Sequence, residues 1–61
     1  MTKADLRTVD SARRAIILGM PDMAARALSA AIRASLRAKS RAELLEIARA
    51  LGVDSHPDFI V

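Results

Sequence analysis

This 61-residue sequence predicts an all-α fold: an antiparallel helical hairpin plus a short third helix, with a core completed by homodimerisation. Three observations carry that prediction. Apolar residues recur every three or four positions between Leu6 and Leu51, the spacing of one helix face. Gly19-Met20-Pro21-Asp22 cuts the pattern once, pairing a helix-ending glycine with a helix-starting proline. The third is what is missing. A chain of this size buries only about 60% of its unfolded surface. It has no cysteine, and much of its apolar content is alanine, so a second copy is the simplest source of further burial.

The first helix is expected over residues 3–18. Thr2 and Asp5 form a capping box with Asp in place of Glu. Leu6, Val9, Ala12 and Ile16 make its apolar stripe, which Ile17 broadens. Arg7, Asp10 and Arg14 can pair on the opposite side at three- and four-residue spacing. The Gly19–Asp22 corner then forces a hairpin, with Met20 packed inside it and Asp22 at the positive end of the next helix.

That second helix, expected over 21–38, is the one the rest of the chain is organised around. Ala24, Leu28, Ile32 and Leu36 form a ridge at four-residue spacing, and Ala27, Ala31 and Ala34 beside it allow another helix to come close. Arg26, Arg33 and Arg37 stack as a basic stripe, because seven and eleven residues are near two and three full turns. Ser40-Arg41-Ala42-Glu43 has the form of a capping box, placing a third helix over 41–51 and favouring a break near Lys39–Ser40, although nothing from Met23 to Leu51 forbids one continuous helix. Gly52-Val53 caps its far end. The tail over 54–61 starts as a turn, with Pro57 holding His56 extended, and its Phe59-Ile60-Val61 end is expected to dock on a helix or another subunit.

Composition narrows the function. His56 is the only histidine and there is no thiol, so no metal or other cofactor site is expected. No activated nucleophile sits beside a base, and Glu43 and Glu46 read as a cap residue and a surface partner for Arg49, so no catalytic residue and no enzyme is expected. No run of 18 or more apolar residues could span a membrane, and MTKADLRTVD lacks the apolar region of a signal peptide, which makes the cytoplasm the expected compartment.

A membrane-surface helix is not expected either, because the apolar side of the second helix is alanine-rich and shallow, and two partner classes remain. The net charge is +3, and Arg26, Arg33, Arg37, Lys39 and Arg41 fall in a stretch without acids, a candidate surface for an anionic partner such as nucleic acid. Leu44, Ile47, Ala48, Leu51, Gly52 and Val53 resemble the first helix of helix-turn-helix domains, but too few residues follow for a recognition helix. Protein binding accounts for more of the chain. Leu28, Ala31, Ile32, Leu36, Leu44, Ile47, Leu51 and Phe59 are expected in the core or a dimer interface, leaving Glu43 and Glu46 as an acidic face for a protein target.

The length, the Ala/Arg-rich hairpin, the GMPD corner and the short third segment resemble the small early proteins of Mu-like Pseudomonas phages. That group includes an anti-activator of quorum sensing, a helical homodimer that blocks a LuxR-type transcription factor. The resemblance implies an inhibitory role toward a host regulator. A basic DNA-binding target would be met by Glu43 and Glu46, not by the arginine stripe.

Overall fold

Thr2 starts the first helix. In the computed structural model, which describes Met1–Val61, its hydroxyl accepts the Asp5 backbone N–H at 3.1 Å while the Asp5 carboxylate accepts the Thr2 N–H at 3.2 Å. This reciprocal pair satisfies two of the donors that a helix start leaves free. Helix α1 then runs Lys3–Ile17. It ends at Gly19 (φ +72°), where the Gly19 and Met20 amides donate to the Ile16 and Ala15 carbonyls at 3.1 and 2.8 Å. That is the paired pattern of a left-handed helix end. Pro21 opens α2 (Pro21–Ala34), and α3 spans Ala38–Leu51. The chain contains no strand.

The two ends of the hairpin fix its direction. Thr2, Ala4, Asp5 and Thr8 from the start of α1 lie across a groove from Ala31 and Ala34 at the end of α2, so the two helices are antiparallel. Helix α2 packs against both α1 and α3, which touch one another less. Its buried face carries Ala24, Ala25, Leu28, Ser29 and Ile32. Val9 and Ala12 from α1, Leu44 and Ala48 from α3, and Val53 complete the core. Around it Ile16, Leu45, Ile47, Leu51 and Phe59 are half-buried. Val53 reaches the core because Gly52 (φ +74°) turns the chain back, with the Val53 amide donating to the Ala48 carbonyl at 3.0 Å.

Three expectations need correction. The second helix stops at Ala34, not at 38, because Ser35 and Arg37 take extended backbone angles. Neither Gly nor Pro marks the break. It is held by the Arg41 guanidinium, which donates to the Ser35 carbonyl at 3.0 Å, and by the Ser35 hydroxyl, which donates to the Arg37 carbonyl at 3.3 Å. Next, the third helix starts at Ala38 and Ser40 does not cap it. Ser40, Leu44 and Ala48 recur every four residues on its buried face, so Ser40 serves as a small packing residue. Lastly, Leu36 falls in the extended break and leaves the ridge altogether; it is 96% exposed in the single chain.

Helix α1 is also rotated relative to its expected stripe. Thr8, Val9, Ala12, Ala15 and Ile16 face inward, whereas Leu6 and Ile17 lie outside the contact. The smaller side chains let α1 approach α2 closely, and that approach favours them over the bulkier edge residues.

Leu28 has no exposed surface. We therefore expect Leu28→Ala to cost about 2–5 kcal/mol, read as a lower midpoint in chemical denaturation. Gly52→Ala should cost about 1–2 kcal/mol. A Cβ there would meet nothing within 4 Å, so the loss would come from backbone strain alone. An unchanged midpoint for Gly52→Ala would count against the left-handed turn.

Candidate functional site

The five basic residues do not form one free stripe. Arg26 lies 3.1 Å from the Asp58 carboxylate and 3.7 Å from that of Asp22. Arg33 donates to the Ile60 carbonyl, so the C-terminal segment runs along α2 in the direction of that helix. Arg37 sits in the extended break, off the helix, and Arg41 is engaged with Ser35. Lys39 projects from the first turn of α3, which contains no acidic residue. The start of α3 thus combines Arg37 and Lys39 with the positive end of a helix dipole.

The tail is anchored by more than charge. Phe59 is half-buried against the core, and the Ser29 hydroxyl, itself buried, donates to the Arg26 carbonyl at 3.2 Å with the Asp58 carbonyl at 3.5 Å. The His56 Nδ1 accepts the Asp58 N–H at 3.0 Å, closing the turn that brings the chain back to α2. Of the two candidate acidic residues, Glu43 is half-buried with its carboxylate 4.0 Å from the Met1 amine, and Glu46 is exposed and 3.3 Å from Arg49.

Among the residues expected in a core or dimer interface, Leu28, Ile32 and Leu44 are buried, while Ala31, Ile47, Leu51 and Phe59 are half-buried around them. Leu36 stands apart. It forms one rim of a groove of about 450 Å³ between the start of α1 and the break after α2. Ala4, Ala31 and Ala34 give the groove apolar walls, and Asp5 and Arg37 also line it without pairing with each other.

A second apolar surface was hidden in the sequence. Ile17 and Leu18 are 82% and 72% exposed, and Met20 and Met23 are also exposed, so the hairpin corner carries four large apolar side chains in water. The sequence placed Ile17 on the inner stripe and Met20 inside the corner, and the structure exposes both. The available signal was the run Ile16-Ile17-Leu18, since a helix can turn only one or two of three successive residues inward. No group of three or more His, Asp or Glu side chains comes together in a way that could hold a metal, and no helix is long and apolar enough to cross a membrane.

No protein-family model, curated protein or solved structure matches this chain.

The Arg26–Asp58 pair is largely exposed, so a double-mutant cycle on it should give roughly 0.2–1 kcal/mol, shrinking as salt is added. Phe59→Ala should loosen the tail further: the hydrogen-bonded amides of His56, Asp58 and Phe59 should exchange faster, while those of α1 keep their protection. Equal acceleration in both segments would mean that Phe59 supports the whole core.

Proposed function

We propose that the protein is a non-enzymatic interaction module that associates with itself and binds another protein, modulating it by occupying its surface. One observation carries this reading. Eight large apolar residues beyond Met1 are exposed in the single chain, against five in the core. Scattered exposed apolar residues are ordinary, but Ile17, Leu18, Met20 and Met23 are gathered at one corner. Two of them are methionines, whose flexible thioether side chains adapt to varied apolar partners. The resemblance to small phage early proteins points to inhibition of a host transcription factor as the form this binding takes. Glu43 and Glu46 are then the acidic contacts for a basic target domain.

A second reading, binding to DNA or RNA phosphates, is favoured by the electropositive start of α3. It draws on Arg37 and Lys39 more than on Arg26 and Arg33, which already have partners in the tail. Sedimentation with a labelled DNA duplex at about 50 and 200 mM salt separates the two readings, because phosphate contacts lose most of their affinity across that range. We expect no co-sedimentation at either salt. Strong binding at low salt that disappears at high salt would favour the second reading.

A further inference from the structure

We propose that the groove beside Leu36 is the two-fold interface of a homodimer, with Leu36 of each chain seated between Ala4, Ala31 and Ala34 of the other. The inference rests on the self-association proposed above and names the surface that performs it.

Leu36 is the most exposed large apolar side chain in the protein. Its neighbours are nonetheless held in place: the Ser35 amide donates to the Ala31 and Ile32 carbonyls at 3.0 and 3.3 Å, Arg41 holds the Ser35 carbonyl, and the Ser35 hydroxyl donates to the Arg37 carbonyl. A leucine presented on such a fixed segment loses little further freedom when it docks. The receiving space is on the same patch: Leu36 is itself one wall of the groove, and Ala4, Ala31 and Ala34 give it an apolar strip among polar side chains such as Thr8 and Ser40. A knob and a hole side by side on one surface are self-complementary, which is the requirement of a two-fold contact.

Charge selects a second copy over other apolar partners. Asp5 and Arg37 line the groove, yet no ion pair joins them within the chain. A two-fold apposition sets Asp5 of one chain toward Arg37 of its partner, twice. Each Asp5 then supplies the negative charge that the first turn of the partner's α3 lacks. The corner patch around Leu18 lies at the opposite end of the hairpin, about 20 Å away over the length of α2, and stays free for a target.

Sedimentation velocity of the full chain across a concentration series tests this, with circular dichroism as the check on folding. Wild type should sediment as a dimer. Leu36→Glu should raise the dissociation constant about tenfold to a hundredfold with helicity unchanged, and Leu18→Glu should leave it alone. Leu36→Ser reads the same contact without adding charge if the glutamate variant fails to fold. Arg37→Glu should also weaken the dimer. A Leu36→Glu dimer as tight as wild type would overturn this interface while leaving self-association intact. Dissociation by Leu18→Glu instead would move the two-fold contact to the corner and overturn it as well. A wild-type monomer at every concentration would overturn both the interface and the self-association it rests on.

Discussion

Everything else in the fold depends on how closely other segments can approach α2. Ala24 and Ala25 give the helix a nearly flat surface on either side of Leu28, and none of the three has any exposed area. Small residues answer them from both sides, Ala12 from α1 and Ala48 from α3. Close backbone approach compensates for the modest burial each alanine offers, since packing contacts multiply as the gaps close. The same choice limits the core. With few large side chains between the helices, there is little room left for others, and the remaining bulky residues are displaced to the edges.

The extended segment Ser35-Leu36-Arg37 is where this constraint acts on the chain's course. Had α2 continued, its ridge would have gained Leu36 and its basic face Arg37, and α3 would have had no return path onto α2. The break gives up both alignments and places Ser40, Leu44 and Ala48 against the core. Arg41, a residue easily read as a surface cation, holds the first carbonyl of the break. The tail treats Arg26 and Arg33 in a similar way, converting two members of an apparent ligand stripe into anchors for the chain itself.

Signals that act within four residues were the most legible in the sequence. Thr2 and Asp5 specify their own hydrogen bonds, and Gly19, Pro21 and Gly52 sit at backbone conformations that suit them, so the all-helical class and the position of the corner follow locally. The second break was not legible because Ser35-Leu36-Arg37-Ala38 contains no strong breaker, and tertiary packing of α3 decides the issue. Ser40-x-x-Glu43 misled for the same reason: the pattern fits a helix start equally well when the serine is needed as a small residue facing the core. The rotation of α1, and with it the exposure of Ile17, depended on the partner surface of α2. Periodicity gives a helix its faces, but the shape of the neighbour chooses among them.

The apolar corner has a chemical consequence of its own. The chain has no cysteine, and two of its three methionines, Met20 and Met23, are exposed at this corner. The thioethers of this corner therefore lie outside the core, where oxidants meet them first. Conversion of Met20 and Met23 to sulfoxides would make the corner polar while leaving the packing around Leu28 and Leu44 untouched. Oxidative damage to this protein would fall on its surface chemistry before it reached the fold, and methionine sulfoxide reductases could reverse it without the chain unfolding.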